Sequence, residues 1–263
     1  MLASYAASLG HEVHGTFLTG RHALDGVSQH HLDVRDLAAV RTLVAGVRPQ
    51  VVVNAAYRQD DWATTAGGAA HLALACEEVG ARLVHVSSDV VFSGTAPSYA
   101  EDAEPDPVSD YGRAKLAAEQ AVLELLPGSA VVRTSIILGS SLGRPSPMEQ
   151  LVHDLSSGAR GGVLFTDDVR CPVYVADLAG ALVEVVERGL GGVLHCAGSD
   201  ALSRHEIAVL VAERDGLDPS RFVTGSRATS GVPGPLDLRL DSRRTQQQLE
   251  TRLRGAREFL SRT

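Results

Sequence analysis

Residues 82–89 read Arg-Leu-Val-His-Val-Ser-Ser-Asp, an apolar, β-branched run that stops on two hydroxyls and a carboxylate. Such a run is a buried strand, Arg82 to Ser87, with Ser87-Ser88-Asp89 at its carboxyl end. The same style of segment recurs on both sides of it. Upstream, Ala63 to Val79 is helical, Gln50 to Asn54 is a short buried strand of three valines, and Asp36 to Val47 is an amphipathic helix capped by an acid. Met1 to Leu9 reads as the end of a helix stopped by Gly10, with a strand over Val13 to Leu18 after it. Downstream, Tyr111 to Leu126 is helical, Pro127-Gly128 stops it, and Ala130 to Ser135 is another strand. Strand alternating with helix implies right-handed crossovers and an α/β fold with a parallel, doubly wound sheet.

After Gly139 the rhythm loosens through a Gly/Ser/Pro stretch, Gly139 to Pro147, and a smaller C-terminal lobe is expected to begin there. Asp177 to Arg188 and Ser203 to Asp215 read as helices, with a strand at Val193 to Cys196 between them. Gly231 to Pro235 then precedes Leu236 to Leu240 and a polar final helix. Val175, Leu178 and Leu182 fall at helical spacing and read as core.

The chain has 263 residues, 44% hydrophobic and 21% charged, which suits a folded globular protein. A net charge of -8, with no long Lys/Arg block, argues against nucleic acid as a partner. Cys76, Cys171 and Cys196 are odd in number and set in apolar stretches, so they read as buried reduced thiols, which fits the cytoplasm. The first ten residues lack a basic region and make a poor signal peptide, and no apolar run reaches membrane-spanning length. The ten histidines lack metal-ligand spacing, so no metal site is expected.

In open parallel sheets the ligand crevice lies at the carboxyl ends of the strands. Asn54-Ala55-Ala56, Ser87-Ser88-Asp89 and Arg133-Thr134-Ser135 end three successive predicted strands, and Tyr111 and Lys115 open the intervening helix. Four residues apart, a tyrosine and a lysine share one helix face, so the ammonium is expected to favour the ionised phenol. A phenol so tuned can exchange a proton with a substrate oxygen near neutral pH.

In these motifs the chain resembles the extended short-chain dehydrogenase/reductases, and is most similar to the dTDP-4-dehydrorhamnose reductase branch with its sugar-nucleotide-binding relatives. The matching stretches are residues 10–13, 32–34, 51–56, 84–94, 111–120, 132–135, 174–179 and 240–242, in the right order. Val84 to Gly94 is the most specific of them. The resemblance implies a Rossmann-like NAD(P)-binding core over residues 1–139 with parts of 160–200, and a substrate lobe from the remainder of 140–263. It implies Tyr111 as general acid, Lys115 as its partner and ribose hydrogen-bonder, and Ser88 at the substrate carbonyl. The implied activity is NAD(P)H-dependent reduction of a nucleotide-linked 4-keto-6-deoxysugar, the protein positioning and polarising while the cofactor supplies the redox chemistry. The nucleotide sugar is the expected partner, and a homodimer is compatible with the resemblance.

Other positions carry two readings each. Asp89 continues the family motif, yet an Asp after a strand is also a turn former, and the same holds for Asp33, which with Val34 stands where the family meets adenine. Ala55 and Ala56 are small where a dinucleotide passes close to backbone, or simply for packing. Arg21, in a loop without an acid, favours NADP(H) over NAD(H) through a 2′-phosphate, or is an exposed loop arginine. Arg170 meets a diphosphate or forms a surface ion pair.

Three features depart from the family pattern. A Rossmann fold should open with a strand and a glycine-rich turn, and this chain begins after both. The simpler expectation is a start codon assigned too late, with the motif upstream of Met1; if it is absent, the sheet loses a central strand and exposes an apolar edge. Thr65 stands where the family commonly has asparagine, and Ile136 where the reductases tend to carry an aromatic residue. An epimerase or dehydratase of the same family is the nearest alternative, although Asp89 is followed by Val90-Val91 and not by a second acid. A non-catalytic binding or regulatory subunit is the alternative outside enzymes.

Overall fold

The computed structural model describes residues 1–140 and 143–261. Ser141 and Leu142, inside the expected Gly/Ser/Pro stretch, and the terminal Arg262 and Thr263 lie outside the described residues. Apart from an unexpected second strand directly after the opening one, the first half alternates as its apolar pattern requires: α1 (Leu2–Ser8), β1 (Val13–Phe17), β2 (Val27–His31), α2 (Leu37–Val47), β3 (Val51–Asn54), α3 (Gly68–Val79), β4 (Arg82–Ser88), α4 (Asp110–Leu125) and β5 (Ala130–Thr134). Asp36 caps α2 by accepting from the Ala39 N–H, an interaction worth about 1 kcal/mol. The helix expected from Ala63 begins with a π-helical turn, Ala63–Gly67, before it becomes α3.

In the second half the elements are β6 (Ile137–Leu138), α5 (Pro147–Ser157), β7 (Val163–Phe165), β8 (Val169–Arg170), β9 (Val173–Tyr174), α6 (Val175–Glu187), β10 (Gly192–His195), β11 (Leu202–Ser203), α7 (Arg204–Asp215) and β12 (Val223–Gly225). The main sheet is four parallel strands in the order β10-β5-β4-β3. Buried Val84, Ala130, Val132 and Leu194 from it pack against Leu178, Ala181, Leu182 and Val185 of α6. On the other face, Leu83 and Val131 meet α3 and α4 through Ala69, Ala73, Cys76, Ala118 and Val122. A separate apolar cluster joins α5 and α7 through Met148, Val152, Ile207, Ala208 and Val211. All three cysteines are buried and free.

β1 and β2 form a parallel pair of their own. Among the described residues, no strand pairs with the second edge of β1 or of β3. The three valines of β3 are half-buried.

One expected element differs. The polar final helix is two single turns, Arg243–Gln246 and Ala256–Phe259, with an irregular segment between. Side chains there satisfy backbone groups that a helix would otherwise pair. The Gln246 amide donates to the Thr251 carbonyl and accepts from the Leu253 N–H, while Glu184 on α6 accepts from the N–H groups of Glu250 and Thr251. Among the described residues, no helix is long and apolar enough to cross a membrane, and no cluster of three or more His, Cys, Asp or Glu side chains is arranged to hold a metal.

Candidate active site

The start of α4 is pressed against the end of β4. Ser109 caps the helix by accepting from the Gly112 N–H at 3.0 Å, and Gly112 has no room for a side chain: a Cβ there would sit 2.2 Å from the Val90 carbonyl oxygen. This close approach brings Tyr111 within reach of the Asp89 charge, next to Ser88 at the end of β4, and Lys115 against the Val86 carbonyl of the same strand. Lys115 is 3% exposed, and it is the only lysine in the chain. The choice has chemical content, because a buried lysine can change protonation state near neutral pH and an arginine cannot.

The Lys115 ammonium donates to the Val86 carbonyl at 3.0 Å and lies 5.1 Å from the Tyr57 ring centroid and 6.0 Å from that of Tyr111. Burial pushes its pKa down to about 8. The Tyr111 phenol goes the other way, and this corrects the expected lowering by Lys115. Burial, then Tyr57 and Asp89, raise it above the ordinary tyrosine range, because a phenolate at this place would be desolvated beside a carboxylate. In this state Tyr111 is a neutral phenol, the form that donates a proton.

Ser88 donates to Asp89 Oδ1 at 3.1 Å, and Ser135 donates to Asp89 Oδ2 at 2.6 Å. The Ser135 hydroxyl in turn accepts from the Cys171 N–H. Burial raises the Asp89 pKa, opposed mainly by Arg170. Arg170 is enclosed and is not a surface ion pair. Its guanidinium lies 3.8 Å from Asp89 and 2.7 Å from Asp168, and donates to the carbonyls of Val169, Leu236 and Pro235. The sequence pattern missed this because β8 and the 235–236 segment enclose Arg170 only in the folded chain.

Asn54, at the end of β3, is buried; its amide accepts from the Ala56 N–H and donates to His85 Nδ1 at 3.1 Å. It shapes the turn that leaves Ala55 and Ala56 exposed as a bare backbone shelf. Tyr57 follows, half-exposed, with its ring 5.9 Å from that of Tyr111. Thr65 closes the loop after it, donating to the Arg58 carbonyl and accepting from the Arg58 N–H. Ile136 packs with the α5/α7 cluster.

The remaining candidates lie on the β1/β2 side. Arg21 is exposed on the loop after β1. Asp33 is held by Arg35 at 2.6 Å, and hydrogen bonds from Arg35 keep its pKa at about 2. The Val34 carbonyl accepts from His71, and its side chain presses on Gly68, where a Cβ would come within 2.7 Å. Ser88, Asp89, Tyr111, Lys115 and Arg170 are thus brought together, the Asn54 to Ala56 turn borders them, and Arg21, Asp33 and Val34 belong to a separate patch. Sequence reasoning passed over Tyr57 and Glu119, and placed Ser135 at a strand end without a role of its own. Glu119 had a signal, since it continues the Tyr111/Lys115 stripe by one more helical turn.

Three relatives show what the chain is similar to. It is 36% identical to a dTDP-4-dehydrorhamnose reductase of Mycolicibacterium smegmatis, over 99% of this chain and 80% of that one. It is 30% identical to methionine adenosyltransferase 2 subunit beta of Xenopus tropicalis, over 80% and 68% respectively. Its fold matches the crystal structure of dTDP-4-dehydrorhamnose reductase from Bacillus anthracis in complex with NADP, with a TM-score of 0.80 at 24% identity, covering 89% of this chain and 88% of that one. The family model for the RmlD substrate binding domain matches residues 5–263, and with a parallel α/β sheet that ends β4 on Ser88 and a following helix that carries Tyr111 and Lys115, the chain belongs to that family.

Proposed function

We propose that the chain reduces the 4-keto group of a nucleotide-diphosphate-linked 6-deoxysugar with a nicotinamide cofactor, NADP(H) in preference to NAD(H). The carrying observation is the convergence of Ser88, Tyr111 and Lys115 at the junction of β4 and α4. Bound there, the nicotinamide would supply hydride. Tyr111, a neutral acid by burial, gives its proton to the sugar oxygen. Ser88 exchanges its bond to Asp89 for one to that oxygen, and Asp89 stays held by Ser135 and Arg170.

The residues fit the nicotinamide end of such a cofactor. Among the described residues the Lys115 ammonium makes one hydrogen bond, to Val86, which leaves donors for a ribose. The Ala55-Ala56 shelf allows close backbone approach, with Asn54 fixing its shape, and Arg21 would hold a 2′-phosphate while Asp33 and Val34 would lie toward the adenine. Relatives support either nucleotide: the Bacillus anthracis structure contains NADP, and a fold relative from Bordetella bronchiseptica contains NAD with UDP. We assign cofactor binding to residues 1–139 with parts of 160–200, and the sugar to the remainder of 140–263.

The test is a titration with NADPH and NADH followed by nicotinamide absorbance with 4-keto sugar nucleotides. Tyr111→Phe is expected to bind cofactor normally and to lose about 100-fold or more in turnover. Unchanged turnover removes Tyr111 from the mechanism, and absence of both binding and turnover in the parent chain overturns the reductase reading. A non-catalytic subunit is the second reading. It is favoured by the similarity to methionine adenosyltransferase 2 subunit beta and by the use of the Thr65 hydroxyl in loop closure.

A further inference from the structure

Tyr111, Lys115 and Glu119 stand at i, i+4 and i+8 on α4 and form one stripe facing the sheet. The far end of the stripe is pinned twice. Glu119, 2% exposed, accepts from Ser87 of β4, and Arg133 of β5 grips both its oxygens, with Nε at 3.0 and 3.2 Å and Nη2 at 2.7 Å. Ser87 and Arg133 are themselves paired across the sheet. The Arg133 guanidinium lies 5.0 Å from the Phe92 ring centroid, and its Nη1 is buried without a hydrogen-bond partner among the described residues. An enclosed ion pair of this kind is weak evidence for stability, since well-packed apolar groups of similar volume often serve as well. Its position one turn from the only lysine indicates a different use.

We propose that Glu119, clamped by Ser87 and Arg133, is a positioning residue for Lys115: it fixes the rotation of α4 that sets the ammonium under Tyr111 and supplies the negative charge that keeps it protonated. This rests on the reading of Lys115 as part of the proton-transfer site. The groups facing Lys115 are Tyr57 from the loop after β3, His85 and the Val86 carbonyl from β4, and Tyr111 and Glu119 from α4. His85 is held neutral by burial, so Glu119 is the one carboxylate in that set. Burial lowers the Lys115 pKa and Glu119 opposes the lowering.

The sole lysine makes the test direct. Lysine labelled biosynthetically with 13C at the ε carbon yields a single resonance, whose pH titration reports Lys115 in the protein without cofactor or substrate. In Glu119→Gln the midpoint is expected to move to lower pH by about half a unit or more, the scale of losing a charge one helical turn away. Glu119→Gln/Arg133→Met replaces the pair by neutral groups; it is expected to recover thermal stability while the Lys115 midpoint stays low. A Lys115 midpoint unchanged in the double variant means the pair is only structural and overturns the proposal, even where the single variant fails to fold. Where turnover is measurable, the alkaline limb of kcat/KM should move down in step with the resonance. A shifted resonance in a chain that reduces no sugar nucleotide upholds the positioning role and removes the reductase reading alone.

Discussion

Gly112→Ala separates local helix preference from tertiary packing, because the two predict opposite signs. Alanine in place of glycine inside a helix ordinarily gains about 1 kcal/mol. At Gly112 the new Cβ would lie 2.2 Å from the Val90 carbonyl oxygen, 2.9 Å from Pro107 Cβ and 3.2 Å from Ser109 Oγ. Real Cβ contacts do not fall below 3.0 Å, so the start of α4 must retreat from the β4 turn by about 0.8 Å. Overpacking of this kind costs about 1–3 kcal/mol, and strain on the Ser109 cap adds up to about 1 kcal/mol. A net loss of up to about 3 kcal/mol remains after the helix gain, or about 2–4 °C in Tm for each kcal/mol in a chain of this size. Gly46 is the control: it lies in α2, exposed, with nothing within 4 Å of a Cβ, and its alanine variant should be more stable by about 0.5–1 kcal/mol. Urea and thermal unfolding of both variants measure the signs. Because the retreat carries Tyr111 away from Ser88, a displacement near 1 Å should also reduce turnover about 100-fold. If Gly112→Ala unfolds no earlier than the parent chain, the contact between α4 and the β4 turn does not position the site.

Acid should destabilise the fold through two buried histidines. Burial lowers His85 to about 3, and burial followed by Arg133 lowers His195 to about 4. Both lie below the unfolded value of about 6.5, so their contribution is complete above that pH and is lost as pH falls toward 4 and 3. Each should cost about 2 kcal/mol between pH 7 and pH 5; urea midpoints that do not move over that interval contradict the assignment. Arg21→Ala is expected to weaken NADPH binding about 10-fold while NADH binding holds, measured by nicotinamide fluorescence titration. An equal loss for both nucleotides removes Arg21 from the 2′-phosphate site.

Regular elements were largely legible because burial repeats locally. The three valines at 51–53 and the run from Leu83 to Val86 read as strands from composition, and caps such as Asp36 and Ser203 mark helix starts. Segments whose order comes from distant partners were not legible. The region after Leu240 is held by Glu184 and by the Gln246 side chain, neither of which continues a helical pattern. Within the candidate site, residue type and order singled out Ser88 at a strand end and Tyr111 and Lys115 one helical turn apart, because those groups in that spacing suit proton transfer.

What the sequence by itself determined is the alternation of strands and helices, the residues able to move a proton, and the likeness to a reductase family. All three depend on residue type and short spacing along one chain. Only the tertiary structure decided their electrostatic state: Tyr111 raised by its enclosure, Lys115 lowered to about 8, and Arg170 shut in between Asp89 and Asp168. Desolvation depends on everything packed around a group, and those neighbours come from β4, β8, α4 and the 235–236 segment, far apart in the chain. For the same reason only the fold showed the tight contact at Gly112 and the clamp of Ser87 and Arg133 on Glu119, at the two ends of the stripe that carries Tyr111 and Lys115.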